Sequence, residues 1–171
     1  MNQSVSNLFP EYQVAVLFAR ADSIYKTIDG CDVWDAERDA RKWSGGCSVI
    51  AHPPCRAWGR LRAFAKPRPD EKDLARWAVF VVRQWGGVLE HPAGSTLWDD
   101  QGLPLPGQTD DYGGWTMAAP QLWWGHKANK ATWFYIVGCM PGELPPVPFT
   151  LAYPTHVVQS RKRVNHLPHI S

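Results

Sequence analysis

The stretch "DEKDLARWAVFVVRQWGGVLEHP" at residues 70–92 predicts a helix that is followed at once by a strand. Its apolar residues recur at i, i+3, i+4, i+7, i+8 and i+11, which places them in one stripe along a helix over 70–85. Asp70 can cap the start of this helix, and Gly86-Gly87 ends it. Residues 87–92 are then expected to form a short strand that starts with the apolar triplet 87–89 and stops at Pro92. The stripe consists of Leu74, Trp77, Ala78, Val81, Val82 and Trp85.

Short apolar runs on both sides of this unit predict the remaining strands. They occupy residues 13–18, 31–35, 47–52 and 131–138. A brief helix is expected over 35–43, and the Gly, Pro and Asp residues of 93–120 predict a long irregular loop. Strands that alternate with helices predict an α/β fold, with a mostly parallel sheet, flanking helices and long irregular loops.

The length of 171 residues favours one compact domain over 1–171, and residues 139–171 are expected to form an irregular, Pro-rich and basic C-terminal segment. An apolar run long enough to span a membrane and a secretory signal are both absent from the sequence, which predicts a cytoplasmic protein without membrane association. The four cysteines have no regular spacing, so a disulfide framework is not expected. His52 and Cys55 share one short loop but lack the paired spacing of structural zinc modules, so no metal is expected.

The distribution of charge is more informative than the net charge of +2. Arg56, Arg60 and Arg62 closely follow the Pro53-Pro54 corner, and the chain has ten tryptophans. Phosphate contacts beside aromatic surfaces that stack bases would explain both features. Solvated basic loops around a Trp-rich core are the alternative, and a Trp-rich surface would also suit a homodimer.

Polar residues with possible chemistry follow three of the predicted strands. Asp35 follows the second strand, "HPPC" (52–55) the third, and "EHP" (90–92) the fourth. In parallel sheets, ligands bind outside the carboxyl ends of the strands. This placement predicts an active site at that edge of the sheet.

Cys55 and Glu90 are the candidate catalytic residues. Neighbouring arginines can lower the pKa of a thiol on a stiff Pro-Pro loop, whereas the other three cysteines lie in or beside strands and suit burial. An unpaired carboxylate near the core has a raised pKa, so Glu90 is expected to be protonated and to donate a hydrogen bond. A structural ion pair with an arginine is the alternative for Glu90.

The stretch "QLWWGHKANKATWFYIVG" (121–138) carries a second polar group. Gln121, Lys127 and Lys130 precede a strand, where contacts to phosphate are expected. The alternative is a polar turn before an apolar strand.

"PPC" (53–55), "EHP" (90–92) and the "Q…WGH…K…TW" stretch within 121–138 occur in an order that resembles the DNA cytosine-C5 methyltransferase family. The similarity is greatest to short methyltransferase-like proteins of bacteriophages, and it covers roughly residues 14–138. The resemblance implies a reduced Rossmann-like, class I methyltransferase-like fold. It also implies that Cys55 attacks C6 of a flipped-out cytosine, while Glu90 binds N3. His91 stands where the family has Asn and is expected to contact the substrate, and the Gln121 stretch resembles a later motif that helps to hold the catalytic loop and the DNA backbone.

The resemblance further implies S-adenosylmethionine as the methyl donor. Asp35 or Asp32 would bind its ribose, and Phe18 and Pro53 would line the same site. The chain departs from the family at "VLFARADSIYK" (16–26), which lacks the glycines of the usual cofactor loop, and one strand-helix unit after the second strand is absent. A separate target-recognition domain does not fit in this length.

Two functions follow from these features. The first is an enzyme that modifies a pyrimidine base in DNA or in a nucleotide, acting in the host cytoplasm if a phage encodes it. The alternative is a reduced, non-catalytic methyltransferase fold that binds DNA or a host protein.

Overall fold

A computed structural model describes residues 13–148, 153–158 and 169–170 of the protein. Most of the described secondary structure belongs to one six-stranded sheet. Its strands are β1 (Val14–Leu17), β2 (Cys31–Trp34), β3 (Ser48–Ala51), β4 (Gly87–Pro92), β5 (Trp115–Pro120) and β6 (Ala131–Val137). The helices are α1 (Glu71–Trp85) and α2 (Leu97–Asp100), with 3₁₀ turns at Ile24–Thr27, Ala40–Lys42, Gln121–Trp124 and Pro141–Glu143. A separate two-stranded sheet pairs β7 (Val157–Val158) with β8 (His169–Ile170).

The large sheet is mixed, with the strand order β2-β1-β3-β4-β6-β5. The pairings among β1, β2, β3 and β4 are parallel, whereas β6 runs antiparallel to both β4 and β5. The expectation of a mostly parallel sheet therefore holds only for its β2-β1-β3-β4 half. The reason is the connection. α1 carries the chain back between β3 and β4, but the segment 121–130 that joins β5 to β6 contains only a 3₁₀ turn, and a connection without a crossover helix reverses the strand direction.

Helix α1 covers one face of the parallel half through its predicted apolar stripe. Leu74, Ala78 and Val82 are buried and belong to the same core cluster as residues of β3 and β4. Trp85 is 39% exposed, so the stripe is less buried at its end. Asp70 occupies the N-cap position, but its carboxylate makes no capping hydrogen bond. The prediction of one long α-helix in this stretch is confirmed. Among the described residues, the other α-helix, α2, is only about one turn long.

A glycine allows β4 to start directly after α1. Gly87 has φ +122°, and a Cβ atom there would lie 1.9 Å from the carbonyl oxygen of Val49 in β3. No side chain fits that space. The Gly86-Gly87 pair predicted to end the helix therefore also lets two backbones approach closely.

Two segments differ from their predicted form. The helix expected over 35–43 is reduced to the turn Ala40–Lys42, because the carboxylates of Asp35 and Asp39 accept hydrogen bonds from nearby backbone N–H groups and so favour turns. The segment 93–120, expected to be irregular, contains α2 and β5. β5 forms through its pairing with β6, which is a tertiary contact that local composition does not reveal. None of the described helices is long and apolar enough to cross a membrane.

Candidate active site at the carboxyl ends of the parallel strands

Two adjoining pockets lie at the carboxyl ends of the parallel strands. β1 has β2 on one side and β3 on the other, so the chain changes direction across the sheet at β1, and ligands in such sheets bind at this point. The Asp35 pocket encloses about 270 Å³ and includes Phe18, Ala19, Asp35, Pro54, Arg56 and Glu71. The Glu90 pocket encloses about 460 Å³ and includes Phe18, Ala19, Ser23, Tyr25, His52 and Glu90. The pockets share Phe18 and Ala19 as a common wall.

The shared wall has an unusual backbone conformation. Phe18 directly follows β1 with φ +62°, and Asp39 has φ +57°; these are the only non-glycine residues with positive φ in the described part of the chain. Both line the Asp35 pocket. The Phe18 ring is held against Trp77 of α1 in an edge-to-face contact, with ring centroids 5.9 Å apart. Strained backbone of this kind concentrates at ligand sites, where surrounding contacts hold it in place.

The Glu90 carboxylate is the centre of a polar cluster drawn from distant parts of the chain. His52 Nδ1 lies 2.7 Å from Glu90 Oε2, because β3 and β4 are adjacent and end side by side. Gln121 Nε2 donates to Glu90 Oε1 at 2.5 Å, and Lys130 Nζ lies 3.6 Å from the same oxygen. The backbone bond from Gln121 N–H to the Lys130 carbonyl brings these last two residues together at the β5–β6 connection.

This cluster reverses the expectation for the ionisation of Glu90. Burial raises the pKa of the carboxyl group, but the hydrogen bond with His52 and the positive charge of Lys130 outweigh it, and the net pKa is lowered. The prediction of a protonated, unpaired Glu90 is therefore wrong, and so is the alternative of an arginine pair among the described contacts. At neutral pH Glu90 is a carboxylate that accepts hydrogen bonds.

An aromatic pair forms one side of the Glu90 pocket. The rings of Tyr25 and His52 stack with centroids 5.9 Å apart and an interplanar angle of 28°. Burial and the charge of Glu90 raise the pKa of the Tyr25 hydroxyl, so Tyr25 stays neutral. His52 Nε2 is buried without a partner among the described residues. A flat surface with polar edges suits a planar heterocycle.

The tryptophans do not form the pocket walls. None of the ten lines either pocket, and Trp58, Trp98, Trp43 and Trp115 are buried in the interior. Trp124 and Trp85 are 47% and 39% exposed. The Trp-rich composition therefore serves mainly the packing of the sheet, in agreement with the alternative interpretation of a Trp-rich core.

The loop after β3 runs along both pockets. His52 lines the Glu90 pocket, while Pro54 and Arg56 line the Asp35 pocket. Cys55 lies between them and is half-buried, and its carbonyl oxygen accepts hydrogen bonds from the backbone of Trp58 and Gly59. The Cys55 side chain lines neither pocket. Pro54 lines the Asp35 pocket, whereas the predicted cofactor residue Pro53 is buried beside it.

The three arginines after Cys55 point to different places. Arg56 forms an ion pair with the buried carboxylate of Glu71 at the start of α1. Arg60 packs against Gly94, where a Cβ would lie 2.6 Å from Arg60 Cδ. Arg62 donates to the Gly59 carbonyl at 3.4 Å. The three do not form one cationic patch around the thiol, and their proposed contacts to DNA stay predictions.

Asp35 and Asp32 are the two acidic residues predicted to bind the ribose, and Asp32 does not line the pocket that was named after Asp35. The Asp35 carboxylate accepts from Lys26 Nζ at 2.6 Å and from two backbone N–H groups, and the Lys26 bond is the main cause of its lowered pKa. The Asp32 carboxylate instead accepts hydrogen bonds from Trp34 Nε1 and Arg38, both at 2.7 Å, and lines a shallow neighbouring depression that also includes Asp35.

Two further predicted substrate residues lie away from this cluster. His91 is 1% exposed and points to the face of the sheet opposite to Glu90, since successive residues of a strand alternate. In this position the His91 ring is not accessible to a substrate. The carbonyl of Lys127 accepts backbone hydrogen bonds from Thr155 and His156, and a phosphate contact through its side chain stays a prediction.

The structure adds Tyr25, His52 and Glu71 to the candidate site. Tyr25 lies in a 3₁₀ turn and Glu71 in the first turn of α1, and neither position carries a local sequence signal for a ligand site. His52 belongs to the "HPPC" stretch, but the sequence assigned the chemistry of that stretch to Cys55. Only the burial of Glu71 and the stacking of the other two reveal their position.

Within the described residues, no group of three or more His, Cys, Asp or Glu side chains could hold a metal ion. No protein-family model and no curated protein matches this sequence.

Proposed function

We propose that the protein transfers a methyl group from S-adenosylmethionine to a cytosine, or to a related pyrimidine, in DNA or in a nucleotide. The observation that carries this proposal is the pair of adjoining pockets with the common wall Phe18-Ala19. A group transfer requires donor and acceptor to be held side by side, in contact at the reacting atoms. His52 and Pro54, close to Cys55 on the loop after β3, line one pocket each, so the predicted nucleophile belongs to a loop that borders both ligands.

The Glu90 pocket suits the acceptor base. Its volume of about 460 Å³ falls in the usual range for ligand sites, roughly 300–1,000 Å³. Tyr25 and His52 offer a flat surface for stacking, and the Glu90 carboxylate is a good acceptor for the exocyclic amino group of cytosine. A hydrogen bond between Glu90 and the base N3 requires one proton shared between them, and the contact of His52 Nδ1 with Glu90 Oε2 fixes the orientation of the carboxyl group for it.

The Asp35 pocket suits the donor. Its wall combines carboxylates with the guanidinium groups of Arg41, Arg56 and Arg68, which matches a ligand that carries both an ammonium and a carboxylate. Its volume of about 270 Å³ lies just below the usual range of roughly 300–1,000 Å³, so part of the donor would extend out of the pocket. When bound there, S-adenosylmethionine would supply an electrophilic methyl group next to the shared wall.

The roles of the chain's own residues follow from the chemistry of the base. The thiolate of Cys55 adds to C6, and the electron pair of the C5–C6 double bond becomes available at C5 to take the methyl group. Glu90 and His52 stabilise the charge that develops on the ring. Water then takes the C5 proton, the electron pair of the C5–H bond re-forms the C5–C6 double bond, and the Cys55 sulfur leaves C6 as a thiolate. The base has to leave its stack to reach the pocket, which a pyrimidine in single strands or a free nucleotide does at the lowest cost.

The second candidate is a non-catalytic module that binds DNA or a host protein. The observation that favours it is the internal pairing of charges in the Asp35 pocket. Asp35 is paired with Lys26, Asp39 with Arg41, and Glu71 with Arg56, so much of the polar wall already has partners. The chain also lacks glycines where the family's cofactor loop would be.

Ligand binding and covalent trapping distinguish the two candidates. The purified protein is titrated calorimetrically with S-adenosylmethionine and with S-adenosylhomocysteine. It is then incubated with the donor and an oligonucleotide carrying 5-fluorocytosine. In this base, fluorine replaces the C5 hydrogen that must be lost as a proton before the Cys55 sulfur can leave, so the Cys55 adduct persists under denaturing conditions. The enzyme predicts micromolar binding of both ligands and an adduct that Cys55→Ser abolishes and that Cys139→Ser retains. Failure of both ligands to bind at millimolar concentration would refute the methyltransferase, and retention of DNA in a mobility-shift assay would then support the binding module.

A further inference from the structure

We propose that Glu71 binds the ammonium group of the donor's amino-acid portion in the Asp35 pocket. This inference rests on the proposed function and assigns one part of the donor to one residue of the chain. Glu71 is the first residue of α1, and its side chain is 1% exposed. It lines the Asp35 pocket, although no sequence motif singled it out.

The two oxygens of this carboxylate differ in their surroundings. Oε1 pairs with the guanidinium of Arg56. Oε2 is buried and has no hydrogen-bond partner, and it is the only carboxylate oxygen of that kind among the described residues. Buried polar atoms in folded proteins almost always have a partner, so an orphaned carboxylate oxygen beside a cavity indicates a missing donor.

The other carboxylates of the pocket do not share this property. Asp35 has Lys26 and two backbone N–H groups as donors, and Asp39 has Arg41. Asp70 lies near Arg41 and Arg68 and is 40% exposed, so water reaches it. Glu71 is therefore the acidic group of the pocket that a ligand donor would satisfy.

An ammonium group fits this oxygen better than a neutral amino group does. A charged donor forms a shorter and stronger hydrogen bond to a carboxylate than a neutral donor. Arg56 occupies one side of Glu71, so only one oxygen remains for the ligand, and a primary ammonium can fill it with a single N–H while its other two protons meet the remaining wall. The nucleoside part of the donor would then lie toward Phe18 and Asp35.

A comparison of two ligands tests this assignment. S-Adenosylhomocysteine carries the amino-acid portion, whereas 5′-deoxy-5′-methylthioadenosine has the same nucleoside and thioether without it. Both are titrated into the full chain, as wild type, as Glu71→Gln and as Asp73→Asn. Asp73 lies in the same first turn of α1, but its side chain is 78% exposed, which makes it the matched control for loss of a carboxylate.

Glu71→Gln is expected to lower the affinity for S-adenosylhomocysteine by at least about tenfold, because a charge-assisted hydrogen bond is lost. The affinity for methylthioadenosine should stay within about twofold of the wild-type value. Asp73→Asn is expected to change neither affinity. Equal weakening of both ligands by Glu71→Gln, or no weakening of either, would overturn the ammonium assignment while the proposed function stands. Failure of both ligands to bind the wild type would overturn the proposed function, and the assignment with it.

A second measurement needs no variant and so does not depend on how Glu71→Gln folds. The analogue of S-adenosylhomocysteine with a hydroxyl in place of the α-amino group is titrated into the wild type. Weakening by about tenfold or more supports the assignment, and unchanged affinity overturns it.

Discussion

Acid should destabilise the fold through His91, and replacement of this side chain should remove that part of the acid sensitivity. His91 is 1% exposed, and neither ring nitrogen has a partner among the described residues. Burial strips water from the charged imidazolium and lowers the pKa of His91 from 6.5 to about 4, although the charge of Glu90 opposes this shift. In the unfolded chain the ring is hydrated and takes up a proton near its ordinary pKa.

The sign and size of the effect follow from this difference. Between pH 6.5 and pH 4 the unfolded chain binds a proton at His91 that the folded chain does not, so the free energy of unfolding falls as the pH falls. One pKa unit corresponds to about 1.4 kcal/mol, which gives roughly 3 kcal/mol once the pH is below both values. From pH 7.5 to pH 5.0 the same pKa values predict a loss of about 2 kcal/mol.

Urea unfolding of the wild type and of His91→Asn at several pH values from 7.5 to 5.0 measures this contribution. The smaller side chain lowers stability at every pH through lost packing, but it removes the titrating group, so the pH dependence of the variant should be shallower by about 2 kcal/mol over this range. Carboxylates titrate equally in both proteins and cancel in the comparison. Identical pH dependence in the two proteins, or NMR evidence that the folded His91 ring protonates near pH 6.5, would refute the reasoning.

Three other substitutions test single contacts. Tyr135→Phe should lower the free energy of unfolding by about 2 kcal/mol in urea denaturation, since the buried hydroxyl donates to the Asp110 carboxylate at 2.7 Å. Gly87→Ala should cost at least about 4 kcal/mol or prevent folding, because φ is +122° and the new Cβ would lie 1.9 Å from a carbonyl oxygen of β3. Lys130→Met should raise the pKa of Glu90, as followed by carbon-13 NMR of the side-chain carboxyl, because the Lys130 charge helps to keep that carboxyl ionised.

Each of these has a control or a contradicting outcome. A Cβ atom at position 142 would have no atom within 4 Å, so Gly142→Ala should change the free energy of unfolding by less than about 0.5 kcal/mol. Equal losses of stability for Gly142→Ala and Gly87→Ala would contradict the close-approach argument. Tyr135→Phe with unchanged stability would show that Asp110 keeps enough donors in Arg83 and the backbone of Gly114. A Glu90 pKa that does not respond to Lys130→Met would assign its ionisation to His52 and Gln121 alone.

The parts of the fold that depend on local pattern could be predicted from the sequence. The stripe of 70–85 gives α1 because a 3.6-residue period places its apolar residues on one face whatever lies opposite. β4 begins at the second residue of the Gly86-Gly87 pair, continues with the apolar Val88 and Leu89 and ends at Pro92, and these features fix it at both ends. The positions of Glu90 near the end of β4 and of the Cys55 loop after β3 follow from the same pattern.

The character of the site was decided by tertiary contacts. Glu90 meets His52, Gln121 and Lys130, which are 38, 31 and 40 residues away in the chain, and these contacts turn an expected neutral acid into a carboxylate. The direction of β6 and the existence of β5 depend on which strands become neighbours, since an apolar run looks the same in parallel and antiparallel sheets.

The sequence by itself determined where α1 and the strands β1 to β4 and β6 lie along the chain, because backbone geometry and hydrophobic periodicity act over a few residues. Only the tertiary structure decided which charges are paired, which oxygen of Glu71 is left without a donor and which histidine is buried, because hydration and Coulomb energy depend on distances between residues that are far apart along the chain.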